Sequence, residues 1–164
     1  MQNPWLQNKS IVIIGGTTGI GLSAGEGFIV HGANVVAVGR NLQSADKASS
    51  LLKKAVVETG DASLEGTAER AIQACIKQFG SFDGLYHVAG GSGRRFGDGP
   101  LHALSKDGWE QTLGLNLTSL MLSNQAAIRN FLEMKKSGTI LNMSSVLGYS
   151  PSPQYFVTHA YAGA

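Results

Sequence analysis

The chain has 164 residues, 43% of them hydrophobic and 15% charged, which suits one globular domain able to bury a core of its own. Its 13 basic and 11 acidic residues leave a formal charge of +2, and the pairs Lys53-Lys54, Arg94-Arg95 and Lys135-Lys136 form no stripe, so no nucleic-acid partner is expected. The single cysteine, Cys75, excludes an internal disulfide; with no signal-like start at Met1–Trp5 and no apolar run of membrane-spanning length, a cytoplasmic protein apart from membranes is expected.

The apolar run Ile11–Ile14 predicts a first strand, and the glycine-rich stretch Gly15-Gly16-Thr17-Thr18-Gly19-Ile20-Gly21 follows it directly. A helix from about Ile20 to His31 comes next, closed by Gly32. Strand Val35–Val38, a helix from about Leu42 to Lys53 and strand Ala55–Glu58 continue the alternation. A third helix carries Leu64, Ala68, Ala71, Ile72, Cys75, Ile76 and Phe79 at three- and four-residue spacing, with Gly80 after it. Strand Leu85–Ala89 leads into a long, mobile loop, Gly90 to Pro100, in which Arg94 and Arg95 are read as surface charges, with contact to an anionic substrate as the alternative. A longer helix, in one piece or two, places Leu113, Leu117, Leu120, Met121, Ala127, Ile128 and Phe131 on one face, and strand Thr139–Met143 ends the series. Nearly continuous apolar strands alternating with helices predict an α/β fold: a doubly wound parallel (Rossmann) sheet in three α/β/α layers, spanning 1–164 as one dinucleotide-binding domain. Its ligand crevice is expected at the carboxyl ends of the strands.

The glycine turn has a physical role there. Glycines let the backbone turn tightly, approach a pyrophosphate and pack the helix on the strand, while the helix's amino-terminal N–H groups face the phosphates. A dinucleotide is therefore the expected ligand. The end of the second strand reads Val38-Gly39-Arg40-Asn41, without the carboxylate that would accept from both ribose hydroxyls. Arg40 offers a forked, charge-assisted contact to a 2′-phosphate instead, which favours NADP, with NAD as the alternative. The four histidines show no metal-ligand spacing, and no metal site is expected.

Several groups together, in this order, resemble the short-chain dehydrogenase/reductase family. The glycine turn is similar to the family's TGxxxGxG, with Gly15, Gly19 and Gly21 in its glycine positions. Asp61, followed by Ala62, stands where the family places an aspartate on the adenine. His87-Val88-Ala89-Gly90 matches the family's Asn-Asn-Ala-Gly in its second half, with His87 and Val88 replacing both asparagines. Asn116 in Leu115-Asn116-Leu117-Thr118-Ser119, Ser145 ending Asn142-Met143-Ser144-Ser145, and Tyr161 resemble the catalytic set. The resemblance implies that Gly15, Thr17, Thr18, Gly19, Ile20, Gly21, Arg40, Asp61, Ala62, Ala89, Gly90, Asn116 and Tyr161 contact the cofactor.

It further implies hydride transfer between a nicotinamide and a small-molecule alcohol or carbonyl. Tyr161 is then the acid/base, Ser145 polarises the substrate oxygen, and Asn116 holds a water in a proton relay. Bringing a phenol from a pKa of about 10 to about 7 requires roughly 4 kcal/mol of preference for the phenolate, which a neighbouring ammonium supplies. The family's Tyr-x-x-x-Lys pattern is cut at Ala164, so the chain is read as the amino-terminal portion of a longer enzyme, inactive by itself. The resemblance also implies a homodimer or homotetramer built on the helices around Leu117–Phe131 and after Thr158. A non-catalytic dinucleotide-binding module on the same fold is the alternative.

Overall fold

The computed structural model describes residues 4–150. Five strands, β1 (Ser10–Ile14), β2 (Asn34–Gly39), β3 (Val56–Thr59), β4 (Gly84–His87) and β5 (Thr139–Asn142), form one sheet in the order β3-β2-β1-β4-β5. Every neighbouring pair is parallel; Ile13, for example, sits opposite Ala37 on one side and Tyr86 on the other. Helices α1 (Gly19–Val30), α2 (Leu42–Leu51), α3 (Thr67–Phe79), α4 (Lys106–Leu113) and α5 (Ser119–Glu133) connect them.

Side chains alternate across a strand, and that alternation sorts the core into two halves. Val12, Ile14, Val36, Val38 and Leu85 face α3 and α5, where they meet Ile72, Cys75, Ala127 and Phe131. Ile13, Val35, Ala37 and Tyr86 point the other way, onto Leu22, Phe28 and Leu52 from the side of α1 and α2. The chain thus builds the expected doubly wound, three-layer sheet. Among the described residues no helix is long and apolar enough to cross a membrane.

Local departures from the predicted elements have identifiable causes. Strand β4 ends at His87, two residues early, because Val88 and Ala89 both donate their N–H to the Ile14 carbonyl, at 2.9 and 2.8 Å, and curl out of the ladder. Helix α3 starts at Thr67, since Gly66 at φ 79° breaks the helical path before it. The long helix is interrupted by a π-helical turn, Gly114–Thr118, between α4 and α5. The glycine-rich stretch from Gly90 to Pro100, expected to be mobile, contains a 3₁₀ turn, Gly93–Phe96, in which Gly93 packs directly on Thr112 of α4.

Candidate functional site

Strand order reverses between β1 and β4, since the chain winds outward to β3 and returns to the other side of β1. A doubly wound sheet opens a crevice at such a switch point, beyond the carboxyl ends of its strands. Here that crevice is a cleft of about 660 Å³, within the size range of cofactor sites.

Gly15 opens the turn after β1 at φ 95°, and a Cβ there would lie 2.6 Å from the Ala89 N. Gly15 and Gly16 both donate to the Val38 carbonyl at 2.9 Å, pinning the turn to β2. At Gly21 a Cβ would run into the Gly15 carbonyl oxygen, so α1 can close on the turn only without a side chain there. Thr18 stands at the position before α1 but makes no side-chain hydrogen bond to it, and no acidic residue occupies the first turn. The first N–H groups of α1 thus keep their donors and positive potential for an anion. A backbone cradle that a Cβ would fill, facing an uncapped helix start, fits a pyrophosphate.

Thr18, Gly19 and Ile20 line the cleft and are exposed to it, whereas Thr17 is buried, with Oγ1 3.3 Å from the Ser44 Oγ. Across the cleft Arg40 leaves the end of β2, half-exposed, with Nη1 3.8 Å from Asp61 Oδ2. Its neighbour Asn41 caps α2, accepting from the Ser44 N–H at 3.0 Å. Asp61 accepts from the Ser63 N–H and hydroxyl at 2.9 and 2.7 Å. Burial alone pushes its carboxyl up, but those two hydrogen bonds and the Arg40 charge bring it below its ordinary value. Asp61 is therefore ionised, and any phosphate drawn to Arg40 meets that carboxylate as well.

Ala62 continues this rim, and Ala89 and Gly90 form the opposite wall. The structure therefore brings Gly15, Thr17, Thr18, Gly19, Ile20, Gly21, Arg40, Asp61, Ala62, Ala89 and Gly90 into one cleft. Asn41, Ser44 and Leu115 line it too, outside the sequence expectation. A cap of the form Asn-x-x-Ser after β2 is the signal that points to the first two.

Asn116 stands behind the wall. It is buried in the π-helical turn, its Oδ1 accepts from Gly91 N–H at 2.8 Å, and its Nδ2 donates to the carbonyls of Gly91 at 3.0 Å and Thr112 at 2.9 Å. Both amide hydrogens are committed to backbone. Ser145 follows β5, half-buried, and accepts from the Leu147 N–H at 3.2 Å as it caps a short 3₁₀ turn; it does not line the cleft. Tyr161 lies outside the described residues.

His87 is the residue that sequence reasoning passed over. It is buried at the end of β4, touching both the cleft wall and α5. Its only signal was the mismatch with the expected asparagine.

Comparison with known proteins agrees with this geometry. A family model described as short chain dehydrogenase matches residues 9–164. The chain is 31% identical over 158 residues to 3beta-hydroxysteroid dehydrogenase 2 of Eggerthella lenta, a match covering 89% of this chain and 56% of that protein. It is 30% identical over 159 residues to the 3-oxoacyl-acyl-carrier-protein reductase FabG of Chlamydia muridarum, covering 92% of this chain and 61% of the relative. A solved short-chain type dehydrogenase/reductase from Mycobacterium ulcerans is similar with TM-score 0.88 and 25% identity, over 96% of this chain and 58% of that one. The chain thus spans less than two thirds of the length of these relatives.

Proposed function

The chain belongs to the short-chain dehydrogenase/reductase family, and from that footing we propose that its cleft binds NADP, in preference to NAD, for hydride transfer to or from the carbon of a small alcohol or carbonyl compound. The observation that carries the reading is the cradle of Gly15 and Gly21 facing the uncapped start of α1. Arg40 supports the choice of NADP, because it is the cation at the end of β2 and no carboxylate stands at that strand end. Asp61 limits the preference, since its charge lies within an ion-pair distance of the same guanidinium.

When bound, the nicotinamide supplies or takes the hydride. Tyr161 is assigned the proton exchanged with the substrate oxygen, and Ser145 the hydrogen bond that polarises that oxygen. Asn116 is assigned a water on the proton's path. With both amide hydrogens engaged, it has only an acceptor to offer that water: a lone pair of Oδ1 or the main-chain carbonyl. Exposed Met121, Ile128 and Leu132 on α5 support pairing with further copies, as a dimer or tetramer. A cytoplasmic home is consistent with a lone, buried cysteine.

Fluorescence titration with NADPH and NADH tests the reading. Arg40→Gln, which removes the charge alone, is expected to weaken NADPH about tenfold or more and leave NADH within about twofold. Arg40→Asp is expected to weaken NADPH further, by adding a second carboxylate beside Asp61. Equal NADPH affinity in wild type and both variants removes the phosphate role, and absence of binding by either nucleotide removes the cofactor reading.

A further inference from the structure

The wall of the cleft opposite Arg40 is formed by Ala89 and Gly90, and two buried side chains hold it and the adjoining Gly91 from behind. Asn116 grips Gly91 by both its N–H and its carbonyl. His87 grips Ala89: its Nε2 lies 3.0 Å from the Ala89 carbonyl, while Nδ1 lies 3.0 Å from the Ser123 hydroxyl of α5. The Ser119 hydroxyl adds a weaker contact, 3.4 Å from Nε2. His87 is 1% exposed.

A carbonyl can only accept, so Nε2 must carry a proton. Burial pushes the ring down to about 4, against the opposing pull of the Ala89 carbonyl, so the ring is neutral at ordinary pH. Nδ1 is then bare and accepts from Ser123, whose hydroxyl has the Ser119 carbonyl, at 2.8 Å, as its alternative acceptor. One tautomer therefore satisfies both ring nitrogens.

The described chain has no cis peptide, and a trans peptide points its carbonyl and its N–H in opposite directions. Holding the Ala89 carbonyl on His87 thus turns the Gly90 N–H away from the imidazole and fixes the plane of the peptide that the cleft presents.

We propose that His87 is a positioning residue for the cofactor cleft: its Nε2–H, braced through Nδ1 by Ser123, sets the Ala89–Gly90 peptide against the bound dinucleotide. The inference rests on the cleft being a nicotinamide dinucleotide site. Two substitutions separate positioning from filling of space. His87→Phe keeps a ring and removes both polar atoms, and His87→Gln returns an N–H donor on a side chain of similar reach. NADPH affinity is expected to fall about tenfold in His87→Phe, the effect of one buried hydrogen bond, and to recover most of the way in His87→Gln. Unchanged affinity in His87→Phe overturns the proposal, as does equal loss in both variants.

If His87→Phe does not fold, nitrogen-15 NMR of the wild-type imidazole decides. A neutral ring protonated on Nε2 supports the proposal, and protonation on Nδ1 overturns it. A wild-type protein that binds neither NADPH nor NADH sinks the cofactor reading. The clamp itself is then read by amide exchange, in which Gly91, whose N–H is held by the Asn116 Oδ1, should exchange faster in His87→Phe than in wild type and return to slow exchange in His87→Gln. Unaltered exchange in His87→Phe counts against His87.

Discussion

Asp83 ties together the amino-terminal ends of β1, β4 and β5, at the opposite end of the strands from the cleft. Its Oδ2 accepts from the Ser10 N–H at 2.9 Å and the Ser81 hydroxyl at 3.0 Å, and its Oδ1 takes Lys136 at 2.8 Å and Lys9 at 3.7 Å. Burial by itself pushes the carboxyl up; the hydrogen bonds from Lys136, Ser10 and Ser81 and the Lys136 charge more than reverse that, leaving it below its ordinary value. A proton therefore binds the unfolded chain more readily than the folded one. The resulting stability is complete above an aspartate's ordinary pKa of about 4 and is lost as pH falls through the lower folded value. Asp83→Asn is expected to cost about 2 kcal/mol at pH 7, a few degrees in unfolding midpoint, with the gap to wild type narrowing as pH falls below an aspartate's ordinary value of about 4. A gap that stays constant from pH 7 to pH 3 in melting curves would show that the charge contributes nothing. At this scale the sequence was legible where backbone geometry dictates the residue. Gly15 and Gly21 announce a turn that admits no side chain, but nothing local tells which hydroxyl His87 Nδ1 will meet or that Thr17 will be buried against Ser44. Those partners come from strands and helices distant in sequence.

Among the elements, α3 was readable because its apolar residues recur at helical spacing and Gly80, at φ 77°, ends it. Its expected start was not, because Leu64 is 62% exposed and belongs to the turn before Gly66. The π-helical turn was illegible for a different reason. Shifting the hydrogen-bond register of a helix has no local reward, and here Asn116 engages Gly91, which lies 25 residues earlier. Helix α5 docks through Phe131, whose ring stacks on Phe82 at 4.7 Å between centroids and 7° between planes. Gly138, at the approach to β5, lies so close to that ring that a Cβ would overlap it. Removing the ring therefore leaves a cavity between α5 and β4 that neighbours cannot fill cheaply. Phe131→Ala is expected to cost about 3–5 kcal/mol, lowering the thermal midpoint by roughly 10 °C, while an exposed residue of the same helix, Leu132→Ala, costs under about 1 kcal/mol. Comparable losses in the two variants would mean that α5 does not dock through this face.

For the whole molecule the decisive feature is where the winding reverses. Strands β2 and β3 extend the sheet to one side of β1, β4 and β5 to the other, and the cleft opens where the two halves part. A ligand seated there touches the turn after β1, the end of β2 and the wall after β4, so binding stabilises the folded state as a unit. NADPH at about one hundred times its dissociation constant adds about 2.7 kcal/mol, which for a chain of this length raises the unfolding midpoint by roughly 5–10 °C. Two glycines of α1 then give opposite results. A Cβ at Gly21 meets the Gly15 carbonyl and forces the helix off the turn, whereas a Cβ at Gly27 meets nothing within 4 Å. Gly27→Ala should keep the full NADPH-induced shift and raise the ligand-free midpoint slightly, since alanine favours the helix by about 1 kcal/mol. Gly21→Ala should lower the ligand-free midpoint and abolish the shift. A shift of wild-type size in Gly21→Ala would place the nucleotide away from the junction of β1 and α1, and the cofactor site would have to be sought elsewhere on the sheet.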